Sequence, residues 1–346
     1  MQVQGLSLVE QYKKWYTDRK ELWGEGMPDI VVHAAFGREV KQALPEEIRE
    51  KLVSDPYTFA LFGPDLWFLY QPWKRREGRG RRMHTTKPGA FLMAIADRVK
   101  VSAAPDALFS YLAGFLCHYA LDSVTHPYII HITEEKYDFP RCHMSFEHSL
   151  DMEELRRAGL AESRHAITEA YFPKCRLPES IRTDIDFVFE SVYGWKNCWS
   201  ALNQSCRRHH MIYRVIENPK GIFSRLTRVT RHPRLKSFSY SESHFNHIDV
   251  ENNEKREWTH SHEPSVSSVA TFSELRAEAL QLAVRMISAA YRYLFFSEIT
   301  REELAEIIGN RSYLSGLDAD DPRNLRFPSL LPPQKQSDSP AGGENP

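Results

Sequence analysis

The stretch 114–128, GFLCHYALDSVTHPY, sets His118, Asp122 and His126 four residues apart inside a run that is otherwise apolar and small. Residues four apart on an α-helix lie one above the other, so these three side chains project along one stripe. A second pair, His143 and Glu147 in RCHMSFEHSLD, repeats the spacing. Imidazole nitrogen and carboxylate oxygen are the ligands, besides thiolate, that zinc accepts, and a rigid helix presents two of them without ordering a loop. A single histidine on an apolar helix is ordinarily a satisfied core residue. Two sets of ligand-type residues so close in sequence resist that reading, because burying Asp122 and Glu147 unpaired would cost several kcal/mol. Such carboxylate-rich sites also accept iron or manganese.

The elements that must position these residues read as helices. DIVVHAAFGREVKQAL has apolar residues at helical spacing, LPEEIREKLV starts after a proline, and TKPGAFLMAIADRVK gives another helix. PDALFSYLAGFLCHYALDSVTH predicts a long apolar helix ending at Pro127, and HMSFEHSLDMEELRRAG an amphipathic one closed by Gly159. A further helical stretch spans about 178–217, a polar irregular one 218–270, then FSELRAEALQLAVRMISAAYRYLFF and a short helix at 299–309. Strand alternation and hairpin signals are scarce. The expectation is an all-α protein: a helical N-terminal extension at 1–26, one domain over 27–310, and a disordered tail over 311–346 ending in LPPQKQSDSPAGGENP.

Composition narrows the partners. Lysine and arginine number 45 against 46 acidic residues, a formal charge of −1, so no global field draws nucleic acid or an anionic membrane. Five cysteines without a C-x-x-C pair and an N-terminal stretch without an apolar h-region suggest reduced thiols in the cytoplasm. No uninterrupted apolar run approaches the length of about 18 residues expected of a membrane span.

Taken in order, MPDIVVHAAFG, LFGPDLWFLY, RRMHTTKPGAF, YLAGFLCHYALDSVTHPY and CHMSFEHSLD resemble the bacterial zinc-dependent phospholipase C family, from Met27 to about Asp151. EWTHSHEP and TFSELRAEAL carry a fainter likeness. The resemblance implies a multi-helix domain, of the type shared with single-strand-specific zinc nucleases, whose helical cleft holds two or three zinc ions. Carried over by motif position, Asp65, His84, His118 and Asp122 would surround one ion, and His126, His143 and Glu147 a second. His33, with Asp122 as a bridge, would serve a third. Asp65 is the carboxylate expected to orient or deprotonate the attacking water. In the family's secreted prototype the processed N-terminus completes the third site, whereas here 32 residues precede His33. Asp29, four residues before His33, is the candidate replacement; its other reading is a helix N-cap. A start at Met27 would bring a terminal amine close to the site.

The basic segment KRREGRGRR (74–82), with Arg81 and Arg82, reads either as a phosphate grip or as a solvated loop. Trp67, Phe68, Tyr70 and Trp73 read as core or as a cation–π wall for a choline-like headgroup. His131 and His148 adjoin the motifs without fitting the ligand pattern. Among residues 244–262, Trp258 and His260 are the candidates for a contact over the cleft. Three functions remain open at this point. The first is phospholipase C-type hydrolysis of a glycerophospholipid, with peripheral membrane contact. The second is hydrolysis of another phosphoester, nucleic acid included though not as an obligate partner. The third is a non-catalytic interaction protein stabilised by metal.

Overall fold

A computed structural model describes residues 30–68, 70, 78–135, 142–160, 167–172, 176–216 and 249–326. The expected helix at 1–26, Asp29, the 74–77 part of the basic segment with Trp73, His244, His247 and residues 327–346 lie outside them.

The protein is all-α, as the periodicity predicts. The first helices are α1 (Ile30–Ala43), α2 (Glu46–Lys51) and α3 (Ser54–Ala60), followed by a 3-10 turn at Gly63–Trp67. Then come α4 (Arg79–Thr85), α5 (Pro88–Val99), α6 (Pro105–Glu135), α7 (Cys142–Arg157) and α8 (Ile167–Tyr171). The chain continues through α9 (Arg182–Tyr193), α10 (Cys198–Ile216), α11 (Phe272–Tyr291) and α12 (Arg301–Ile308). Among the described residues the only paired strands are two-residue β1 (Trp258–Thr259) and β2 (Ser267–Ser268), antiparallel with Trp258 opposite Ser268.

Helix α6 is the axis of the core. Leu108, Phe109, Leu112, Ala113, Phe115, Leu116, Tyr119 and Ala120 on it are all at most 1% exposed, so it is surrounded rather than one-sided. By length and composition it could cross a membrane, but 89% of the apolar window is buried inside the fold, which makes it a core helix. The predicted stop at Pro127 is corrected: the helix runs through that proline to Glu135. Proline removes one backbone donor, the one that would bond Ser123 carbonyl four residues back, without forbidding helical φ. Packing on every side of α6 overrides that local cost.

The boundary of the tail also moves. Residues 311–326, expected to be disordered, are folded onto the domain, and Ser312, Tyr313 and Ser315 are buried. Gly159 does close α7 as predicted, with positive φ (67°) and Leu160 N donating to Leu155 O at 2.8 Å. Two long-range ties lock α1 to α7. Arg276 on α11 bonds Glu39 of α1 at 3.0 Å and Glu154 of α7 at 2.6 Å. Asp151 of α7, fully buried, accepts from the backbone N–H of both Val31 and Val32 at 2.9 Å.

Candidate metal centre

Five elements bring eight side chains to one place. α1 contributes His33, the 3-10 turn Asp65, α4 His84, α6 His118, Asp122 and His126, and α7 His143 and Glu147. They form three groups whose ligand-type atoms lie within 4.8 Å of one another: His33–His118–Asp122, Asp65–His84–His118, and His126–His143–Glu147. Asp122 is central. Its Oδ1 is 3.3 Å from His33 Nε2, and its Oδ2 is 2.9 Å from His118 Nε2 and 3.8 Å from both His84 Nε2 and His126 Nδ1. Asp65 Oδ1 stands 3.2 Å from His84 Nε2, and Glu147 Oε1 stands 3.0 Å from His143 Nε2 and 3.4 Å from His126 Nε2.

The backbone sets which nitrogens face inward. His118 Nδ1 lies 3.1 Å from Leu61 O and His84 Nδ1 2.8 Å from Gly80 O. A carbonyl only accepts, so each Nδ1 carries a proton and Nε2 is the nitrogen turned to the carboxylates, free to ligate a metal once unprotonated. Gly63, at φ 40°, lets the turn bearing Asp65 pass against His118, since a Cβ there would stand 2.6 Å from the imidazole. Ser205 Oγ of α10 donates to Leu66 O, pinning the same turn from its other end.

This arrangement fits a metal. His33 Nδ1, His118 Nε2 and His126 Nδ1 are buried and make no hydrogen bond of ordinary geometry, an uncommon state costing about 1–3 kcal/mol per group. Three carboxylates, Asp65 and Asp122 buried and Glu147 largely so, crowded onto one set of imidazoles also call for a cation. Burial would raise the Asp122 carboxyl, but His118, His126 and His33 hold it far below the usual carboxylate range. Burial opposes the charge on Glu147 too, and His143 followed by His126 outweighs it. Burial and then His118 push His33 down to about 4, so it is neutral. At His126 burial is overcome by Asp122 and Glu147, and the imidazole rises to about 9. Without a metal, His126 therefore holds a proton that a metal would displace.

The other predicted residues fall differently. Trp67 and Tyr70 do form a cation–π wall, but the cation is the chain's own: Arg79 lies 4.7 Å from Trp67, 5.1 Å from Tyr70 and 4.9 Å from Trp195. That corrects the expectation of a wall open to a headgroup. Arg82 sits 5.8 Å from Trp195, and Arg81 shares the helix of His84. His260 is corrected as a cleft contact. Its Nε2 meets Ser315 O at 3.0 Å and its Nδ1 accepts from His262 N and Glu263 N, so both nitrogens are used in holding a turn. Trp258 is buried against Tyr128 and donates to Ala270 O, a core role. His131 and His148 are buried.

Sequence reasoning missed Asp151, although it continues the spacing His143, Glu147, Asp151 on one helix. It also missed His209 of α10, fully buried with Nδ1 on Ser205 O at 3.0 Å and lowered to about 4 by burial.

The sequence model of the family described as zinc dependent phospholipase C matches residues 32–217, a range that contains all eight converging side chains. No curated protein and no solved structure matches the chain.

Proposed function

Because the chain belongs to the zinc-dependent phospholipase C family, we propose that its histidine–carboxylate cluster hydrolyses a phosphodiester, and that the substrate is a glycerophospholipid cut between phosphorus and the glycerol oxygen. Water adds its oxygen to phosphorus, the bond to glycerol oxygen breaks, and the alcohol leaves with a proton as a diacylglycerol. The observation that carries this reading is the convergence of three ligand groups, two of them joined through His118 and the third standing beside Asp122, which lies 3.8 Å from His126.

Zinc, when bound, supplies Lewis acidity, lowering the pKa of a water toward neutrality and offsetting phosphoryl charge. The chain's residues do the rest. His33, His84, His118, Asp122, His126, His143 and Glu147 would hold the ions, with Asp65 beside the His84–His118 pair. Asp65, on a turn pinned at both ends, is the carboxylate that orients the attacking water and accepts its proton. Fixing that carboxylate before substrate arrives lowers the reorganisation cost of the step. Reaching a lipid phosphodiester places the substrate at a membrane surface.

The test is zinc content of the purified chain together with hydrolysis of phosphatidylcholine, a soluble aryl phosphodiester and single-stranded DNA. Two or more zinc ions and lipid turnover abolished by Asp65→Asn, with zinc largely kept, are expected. Turnover of DNA alone would move the substrate to nucleic acid. Tight zinc without turnover of any of the three would favour the metal-stabilised interaction protein.

A further inference from the structure

The segment 309–326 lies beyond the family match and yet closes on the metal-ligand residues. Its start is pinned to α6: the Tyr119 hydroxyl accepts from Arg311 N at 2.6 Å and donates to Ile308 O at 3.2 Å. Tyr313 N donates to His84 O at 3.2 Å. The Tyr313 ring, 1% exposed, lies 5.3 Å from the His84 imidazole and 5.8 Å from that of His118. Three residues on, Gly316 (φ 67°) comes so close to α6 that a Cβ would stand 2.3 Å from Ser123 O. That carbonyl is the one Pro127 leaves without its helical donor, so the strap seats where the proline opens the helix wall. Ser315 is then held by His260 through its carbonyl at 3.0 Å and by Asn324 through its hydroxyl at 2.6 Å, and Arg323 pairs with Glu263 at 2.7 Å.

We propose that Tyr313 is a positioning residue for the Asp65–His84–His118 group. The proposal rests on the metal-binding reading above. A hydrogen bond from Nδ1 fixes one point of an imidazole but leaves its plane free to swing about that bond. Packing on the ring faces and edges must fix the plane. Besides each other at 6.1 Å, the ring partners of His84 are Phe68, stacked at 5.5 Å, and Tyr313, and those of His118 are His33, stacked at 4.3 Å, and again Tyr313. Tyr313 is the side chain common to both. No residue of the strap carries an ion pair, hydrogen bond or ring contact to His143 or Glu147 in the described structure, so the effect is confined to the inner groups.

The experiment uses the full chain loaded with zinc and titrated with a competing chelator, following zinc retained per chain and the visible spectrum of the cobalt-substituted protein. The His143→Ala variant identifies which class of ion belongs to the outer group. Tyr313→Phe keeps the ring and should retain zinc as the parent does. Tyr313→Leu, and Gly316→Ala which lifts the strap, should release the inner class at about 10- to 100-fold lower chelator, the range for residues that orient ligands. The outer class should be released as in the parent, and the cobalt spectrum should change. Parent-like release of both classes from Tyr313→Leu and Gly316→Ala overturns the proposal. So does equal weakening of both classes, which marks a core residue only. If Tyr313→Leu fails to fold, Gly316→Ala decides. A parent that takes up no zinc overturns the metal reading itself, and the proposal with it.

Discussion

The inner and outer ends of the cluster are built by different means. At the inner end His33, Asp65, His84, His118 and Asp122 come from four elements, and none is more than 7% exposed. Their rings are fixed by backbone carbonyls and by neighbouring aromatics. At the outer end His126, His143 and Glu147 come from two helices, and the His143 side chain is 36% exposed. The inner groups are ordered by folding itself, so binding there pays little further ordering entropy. The outer group has less scaffold around it and an open face. The inner ions should therefore be held tightly and the outer one exchanged readily.

The largest effect should come from Asp122→Ala, because that carboxylate faces His33, His84, His118 and His126 at once. Loss of more than one zinc and at least a 100-fold fall in turnover are expected, the scale of removing one preorganised charge partner. Zinc analysis and kinetics on the same preparation check it. A variant still holding its full zinc complement would erase the central place given to Asp122. His143→Ala should be milder, removing one readily chelated ion and leaving the inner class in place.

Proton release sharpens the same contrast. In the metal-free protein His33 is neutral, lowered to about 4, while His126 is raised to about 9. The raised His126 contributes stability that is fully present below its unfolded pKa of about 6.5 and is lost as pH rises toward 9. His33 acts in the other direction, costing stability as pH falls from about 6.5 toward 4. Zinc entering the outer group at pH 7.5 should expel the His126 proton, so its calorimetric heat should vary with buffer ionisation enthalpy. His33 itself, already neutral, should release none. Buffer-independent heats for the outer class would remove this distinction.

Asp151→Ala tests the link between the two ends, since this carboxylate sits on the helix of His143 and Glu147 but grips the start of the helix of His33. Two buried backbone donors would lose their acceptor, so the protein should be destabilised by about 2–4 kcal/mol, seen as a lower denaturant midpoint. Asp151→Asn keeps one acceptor oxygen and should recover part of that. Equal stability of Asp151→Ala and the parent would show that the Arg276 pairs and side-chain packing suffice to hold α1 on α7.

Most of this site was legible because helical spacing is local. His118, Asp122 and His126 share one helix, as do His143 and Glu147, and the resemblance supplied His33, Asp65 and His84 in order. What was hidden depends on contacts far apart in sequence. The helix past Pro127 is sustained by burial, which outweighs the missing donor. Tyr313 meets His84 across 229 positions, in a segment whose composition resembles a tail. His260 was misread because its type suggested chemistry, whereas its partners are backbone groups. Trp67 and Tyr70 read as core or as a wall for a choline-like headgroup, and sequence alone did not reveal that Arg79 covers them.

That last point gives the smallest effect. If Arg79 plugs the aromatic wall, Arg79→Ala vacates a space between Trp67, Tyr70 and Trp195 that suits a quaternary ammonium. The cation–π contribution is about 0.5–2 kcal/mol, so tetramethylammonium or phosphocholine should bind the variant about 2- to 30-fold more tightly than the parent. Arg79 lies on α4, five residues before His84, but its polar and ring partners among the described residues are Cys198, Trp67, Tyr70 and Trp195, so zinc content should not change. Tryptophan fluorescence titration reads the binding. A parent that already binds tetramethylammonium as tightly as Arg79→Ala would mean that the guanidinium yields to ligand, and that the wall belongs to the substrate after all.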